Sequence, residues 1–184
     1  MNLNNNQNLS NKKVENKSYK NFFFKWSKLN DSKLKDLKFF ETDLSESIYK
    51  DLNISSTILE NVLCWNSLFS KCVFENIKTK NFDSRDNEFN HCTFKDIIFE
   101  TSCLRGSILN NCNFENVKFI GTDLKKIHFK KCNMKDVTFE SCDLFMANFK
   151  ENIAINTEIS RSNIFFVKLD KTSKKDINII DCTN

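Results

Sequence analysis

Residues 112–151, written in blocks of five, read CNFEN VKFIG TDLKK IHFKK CNMKD VTFES CDLFM ANFKE. The third residue of every block is large and apolar: Phe114, Phe119, Leu124, Phe129, Met134, Phe139, Leu144 and Phe149. Extended in both directions, this register runs from Phe24 to Ile179 without slipping, and of its 32 slots only Thr79, Ser84 and Lys174 are polar. A chain that is 40% apolar would fill about 13 of those slots by chance. Twelve of the 19 Phe lie in this one register. A helix needs an apolar period near 3.6 and a half-buried strand a period of 2, so a strict period of 5 requires each unit to turn a corner.

Two positions before each central residue stands a second set that is mostly small or β-branched, as in Thr122, Ile127, Cys132, Val137, Cys142 and Ala147. Both sets are expected to point inward. The residue just before the centre is often Asn or Asp, and the two after it are mostly Lys, Glu, Asp or Asn, so these three are expected to face water. The pattern of a small residue, Asp or Asn, Leu or Phe, and two variable polar residues resembles the pentapeptide repeat family. The resemblance covers about residues 22 to 182. It implies an all-β fold, a right-handed quadrilateral parallel β-helix (solenoid) in which four pentapeptides make one coil.

Independent support for four sides comes from like side chains recurring at intervals of 20. Cys72, Cys92, Cys112 and Cys132 form one column, and Ile77, Ile97, Val117 and Val137 the next. The candidate core stack is Phe74, Phe94 and Phe114, with Phe99, Phe119 and Phe139, and with Leu104, Leu124 and Leu144 after Leu44. Such stacking of like on like is the geometry of steric ladders. Thirty-two units give about eight coils and, at ~4.8 Å per coil, a rod roughly 38 Å long. The domain reading is a tail over residues 1–21, disordered or capping, and a β-helix over residues 22–184. The tail is rich in Asn and Lys, although Tyr19 with Phe22, Phe23 and Trp26 could cover the first coil. Lys174 in an inward slot suggests that the regular coil ends near residue 170.

With no Pro and two Gly, the corners are expected to use backbone angles that ordinary residues accept, with Asn and Asp filling in. The eight Cys are read as core packing: no Cys-x-x-Cys pair occurs and no His accompanies the column, so neither zinc nor any other metal is expected. Cys103 stands in an outward slot as a candidate oxidisable thiol. Catalysis finds no constellation. His91 and His128 lie about two coils apart without a nucleophile, and there is no Gly-rich phosphate loop, so no cofactor is expected. A solid, Phe-filled interior is expected to leave no pocket. No apolar run approaches a membrane span and none follows a basic start, which reads as a cytoplasmic protein.

The remaining candidate is the outer surface. Members of the resembled family that mimic duplex DNA and engage type II topoisomerases such as gyrase, quinolone-resistance proteins among them, need a strongly acidic surface. Here the net charge is +4, and removing the tail leaves 24 basic against 23 acidic residues. The outward column Asp43, Asp83, Asp123 and Asp143 is the acidic stripe such mimicry would use, diluted by Arg85, Arg105 and Lys125. Thr79 to Ser84 is the one irregular place, read as a volume swap in which Phe82 fills for Ser84. A candidate basic band, Lys125, Lys126, His128, Lys130 and Lys131, crosses one coil, but no basic stripe runs along the rod, which disfavours nucleic-acid binding.

The candidate interface is Phe145 and Met146 with Phe165 and Phe166, one coil later, where the pattern expects polar residues. Two fates are weighed for it. It forms a homodimer through the C-terminal coils, or the segment ending Ile177, Ile179 and Ile180 folds back over it. The chain is read as a non-enzymatic scaffold presenting a rigid surface to a protein partner, and alternatively as a DNA-mimicking topoisomerase inhibitor or protector.

Overall fold

The computed structural model describes residues 27–170 and 176–183, together with the backbone of 13–15 and 18–20. It is nearly all parallel β, wound as a solenoid of about 7 turns. Every pairing joins a residue to the one 20 positions on, from Lys33↔Asn53 to Ser160↔Ile180. Four pentapeptides therefore make one coil. The four faces can be named for the central residues of one coil: Phe89, Phe94, Phe99 and Leu104.

The faces differ in regularity. Short strands such as Glu88–Asn90 and Ile108–Asn110 build a 6-stranded sheet on the Phe89 face. The Phe94 and Phe99 faces are joined by eight-residue strands, Val73–Lys80, Thr93–Glu100, Asn113–Ile120 and Asn133–Glu140, which bend at the corner without losing their pairing. The Leu104 face carries only single bridges, running from Asp43↔Leu63 to Asn163↔Thr183. In its C-terminal half each coil closes through a tight turn, with Ser107 N–H donating to Leu104 O at 3.1 Å and Ala147 N–H to Leu144 O at 2.8 Å.

Corners are made differently from the sequence expectation. Every fifth residue from Asp31 to Phe166 takes a positive φ, 46° at Thr101 to 72° at Gly106. Of the 26 non-glycine residues so placed, 13 are Asn or Asp, which tolerate the left-handed region, but Lys126, Met146, Arg161 and Phe166 do not share that tolerance. The reason is closure: a left-handed residue after each three-residue strand reverses the pleat by about a quarter-turn, and the pairing above and below holds it there. Amide side chains at the corners add ladders between coils, as Asn81 Nδ2 donates to Asn61 Oδ1 at 3.0 Å and Asn116 Nδ2 to Asp96 Oδ1 at 2.7 Å.

Inside, the stack residues Phe74, Phe94, Phe114, Phe99, Phe119, Phe139, Leu104, Leu124 and Leu144 are all buried. Strand spacing sets their ring geometry: Phe94 lies 4.8 Å from Phe114 at 5°, and Phe119 lies 4.9 Å from Phe139 at 1°. Aromatic pairs otherwise prefer edge-to-face contact. That preference is met between faces instead, where Phe139 and Phe149 meet at 5.4 Å and 87°.

The interior is not solid throughout. An apolar cavity of about 70 Å³ lies among Leu29, Tyr49, Cys64, Phe69 and Phe82, and one of about 40 Å³ among Thr79, Phe82, Ser84 and Phe99. Small residues in the central slots explain both, since Cys64, Thr79 and Ser84 replace the Phe or Leu of later coils. Phe82 is buried with Ser84, as a volume swap requires, but it does not fill the space completely.

A polar thread in the inward small slot escaped the sequence reading. Ser27 N–H donates to Ser47 Oγ at 3.0 Å, Ser47 N–H to Ser67 Oγ at 3.1 Å, Ser67 N–H to Asn87 Oδ1 at 2.7 Å, and Asn87 N–H to Ser107 Oγ at 3.1 Å. Each buried side chain satisfies a corner N–H of the coil before it. The recurrence of Ser at 27, 47, 67 and 107 was the available signal.

At the C-terminal end, Ile177–Ile180 pairs in register with Thr157–Ser160. The coil is thus resumed beyond residue 170, and the segment continues the stack instead of folding over the Leu104 face. Lys174, Phe22, Phe23, Trp26 and most of the tail lie outside the described residues. Lys13–Glu15 and Ser18–Lys20 pair in parallel with Lys33–Lys35 and Lys38–Phe40.

Phe119→Asp should abolish the cooperative melt followed by circular dichroism, and Phe119→Ala should cost roughly 3 to 5 kcal/mol, whereas Lys118→Asp, on the exposed side of the same strand, should leave the melt nearly unchanged. Ser67→Ala removes the acceptor for the Ser47 N–H and should cost about 1–3 kcal/mol in a denaturant titration.

Candidate functional site

The Leu104 face carries the chemistry that distinguishes this chain. Its aspartates are more than solvated charges. Asp43 Oδ1 accepts from Ser45 N–H at 2.9 Å, Asp123 Oδ1 from Lys125 N–H at 3.0 Å, and Asp143 Oδ1 from Phe145 N–H at 3.2 Å. Each pins the backbone two residues on, the local turn for which Asp and Asn are suited. The slot before the centre is therefore structural as well as polar.

Two aspartates of this column, Asp83 and Asp143, are ion-paired. Arg85 makes a two-pronged contact with Asp83, Nε to Oδ1 at 2.9 Å and Nη2 to Oδ2 at 2.7 Å. Lys125 Nζ lies 2.9 Å from Asp143 Oδ2, and that hydrogen bond, with the nearby Asp123 charge, pushes the Lys125 ammonium pKa up. Lys125 thus leaves the basic band, held by an acid one coil on. Arg105 and Cys103 line an open hollow with Asp83 and Asp123. Cys103 is half-buried; burial, with the Asp123 and Asp83 carboxylates adding to it, pushes its thiol above the ordinary value.

Among the apolar candidates, Phe166 is 60% exposed, Phe165 44% and Met146 41%, with Phe145 partly covered. Phe165 and Phe166 meet edge-on at 4.2 Å, and Phe145 stacks over Phe165 at 6.2 Å and 6°. Asn163 Oδ1 accepts from Phe165 N–H at 3.0 Å, and Asn163 Nδ2 donates to Asp143 Oδ1 at 3.1 Å, so the backbone beneath the rings is fixed. Met146 and Phe166 stand at left-handed corner positions, φ 60° each, where a large side chain is directed away from the rod.

The fold also joins two features that the sequence kept apart. Lys126 and His128 of the band, Met146 and Phe166 of the apolar patch, and Val167 and Lys168 line one open groove of about 550 Å³. Lys126, Met146 and Phe166 are stacked one coil apart on one rim, and the bridges His128↔Asn148↔Lys168 place the other rim on the Phe89 face. Lys130 and Lys131 continue around that face and do not line the groove. His91 occupies a left-handed corner on the Phe89 face. Among the described residues no group of three or more His, Cys, Asp or Glu is placed to hold a metal ion, and no helix is long and apolar enough to cross a membrane.

A family model described as the SV2A/B/C luminal domain matches residues 59–139, less than half of the chain. No curated protein matches it. Similar solved structures include full-length QnrB1, a plasmid-mediated fluoroquinolone resistance protein, which is 13% identical over 95% of this chain and 94% of its own, with a TM-score of 0.43. Another is HetL, a pentapeptide repeat protein involved in heterocyst differentiation regulation from the cyanobacterium Nostoc sp. strain PCC 7120, 10% identical over 89% and 90%, at 0.41. A third is Rfr23, a pentapeptide repeat protein from the cyanobacterium Cyanothece 51142, 13% identical over 79% and 90%, at 0.35. The five-residue register and four-sided coil of this chain are consistent with the pentapeptide repeat family.

The cysteine column meets the core as hydrogen-bonded thiols: Cys92 Sγ donates to Phe69 O at 3.6 Å and Cys132 Sγ to Leu109 O at 3.2 Å. Burial pushes the Cys142 thiol up to about 11 and Cys64 higher still. A thiol reagent such as Ellman's at pH 8 should therefore reach only Cys103 and Cys182 in the native protein and all eight thiols after denaturation.

Proposed function

We propose that this four-sided rod, a β-solenoid of the pentapeptide-repeat kind, works without catalysis, as a scaffold that presents one surface to a protein partner, and that this surface is the patch of Phe145, Met146, Phe165 and Phe166. One observation carries the reading: Met146, Phe165 and Phe166 are exposed together beside the partly covered Phe145, and Met146 and Phe166 stand at corner positions where the repeat otherwise places polar residues or Gly. The left-handed backbone of Met146 and Phe166 is offset by the pairing between coils, but the contact of these side chains with water is not recovered within the rod. Burial against another protein recovers that cost.

Two kinds of partner follow. A second copy of the chain, docked through the C-terminal coils, would bury the patch symmetrically. The other is a type II topoisomerase bound by imitation of duplex DNA, favoured by the outward column of Asp43, Asp83, Asp123 and Asp143, which Leu63 and Cys103 interrupt. Against this second reading, Asp83 and Asp143 are ion-paired on the rod itself, which reduces the field a DNA-binding channel would sense.

Phe165→Ser with Phe166→Ser should leave the melting temperature nearly unchanged and abolish capture of the partner, or dissociate the dimer in sedimentation. An unchanged set of bound proteins and an unchanged mass would refute the assignment of the patch. Purified protein should not inhibit gyrase supercoiling, nor protect it from a quinolone, at low micromolar concentration. Inhibition or protection would put the topoisomerase reading first.

A further inference from the structure

The corner groove has a chemical character of its own. Along one rim a cation, a thioether and an aromatic ring follow each other, Lys126, Met146 and Phe166; on the other stand His128 and Lys168; Val167 lies between. Among the described residues no acidic side chain lines it. Lys126 and Lys168 have no ion-pair partner among the described residues, whereas the neighbouring Lys125 is held by Asp143. Apolar surface flanked by unpaired cations is the complement of an acidic segment that also carries a large apolar side chain.

We propose that this groove docks an extended acidic peptide segment of a partner protein, with a large apolar side chain packed on Met146 and Phe166 and carboxylates beside Lys126 and Lys168. The inference rests on the reading of the apolar patch as a protein-binding surface and names the partner's chemistry. Three rungs at ~4.8 Å span roughly 10 Å, which three or four extended residues cover. Two features favour a peptide over other anions. A flat anionic bilayer pressed on this corner would also meet Asp123 on the adjoining face, which a narrow segment along the groove avoids. A nucleic acid needs a run of cations along its backbone, and here two lysines and one histidine share the described lining with three apolar residues.

The test is fluorescence anisotropy with the full chain. The probe is a labelled eight-residue peptide alternating glutamate with phenylalanine and leucine; one control replaces glutamate by lysine and another replaces the apolar residues by serine. The acidic apolar peptide should bind at least tenfold tighter than either control, and less tightly as salt rises. Lys126→Glu with Lys168→Glu should weaken it at least tenfold at an unchanged melting temperature; Lys126→Ala with Lys168→Ala, which introduces no new charge, should weaken it in the same direction. Phe166→Ser should weaken it comparably. Loss with Phe166→Ser but not with either lysine pair overturns the acidic assignment and leaves the patch reading standing. Binding indifferent to all three variants, or absent, overturns the inference. So does tighter binding of a labelled single-stranded oligonucleotide or of phosphatidylserine vesicles than of the peptide, and so does self-association of the rod that the lysine substitutions abolish.

Discussion

Everything in this molecule depends on the hydrogen bonds that tie each strand to the one 20 residues later. They hold successive coils about 4.8 Å apart, and that spacing dictates what the interior can contain. Planar rings fit because they stack at 4.6 to 5.0 Å, as in the pairs Tyr49–Phe69 and Phe74–Phe94. A side chain that cannot stack leaves a gap, which is why the two cavities fall where Cys64, Thr79 and Ser84 interrupt the Phe and Leu columns. The same constraint explains the corners: once strands above and below are paired, the chain must reverse within one residue, and it forces even Thr101 and Phe166 into the left-handed region. Local preference yields to the ladder because each corner costs on the order of 1–2 kcal/mol while several backbone bonds per coil would be lost by relaxing it.

Polar groups inside the rod obey the same logic. A corner N–H is turned inward and needs an acceptor, and in the N-terminal half Ser and Asn one coil on provide it. Near residues 132 and 142 the acceptors are Asn152 and Ser162. The inward slot thus holds two kinds of residue, apolar ones that fill space and short polar ones that complete the backbone. Cys belongs to both, being small enough for the slot and able to donate to a carbonyl of the coil before.

The core uses two of every five positions, and the three outward positions, partly committed to turns by their Asp and Asn, carry the chemistry that distinguishes this chain. On the Leu104 face the aspartates organise turns and hold cations, the turn residues Lys126, Met146 and Phe166 project outward, and the Phe pair is held on a fixed backbone. A rigid frame of this kind presents side chains with little freedom left to lose on binding, which favours recognition by a surface without a pocket.

The five-residue register, the four-sided coil and the identity of the buried columns were readable in the sequence, because a stacked core admits one kind of side chain per position and repeats it every 20 residues. The apolar patch was readable too, as a departure from that pattern at Phe145, Met146, Phe165 and Phe166. Three things required the tertiary structure. The left-handed corners come from pairing in neighbouring coils, which no single pentapeptide reveals. The neutralisation of Asp143 by Lys125 joins residues 18 apart, a spacing set by side-chain reach across a rung and not by the repeat. The groove that unites Lys126, His128 and Lys168 with Met146 and Phe166 exists because a corner brings two faces and three coils together, so residues that read as a basic band and a separate apolar patch along the chain become the walls of one site.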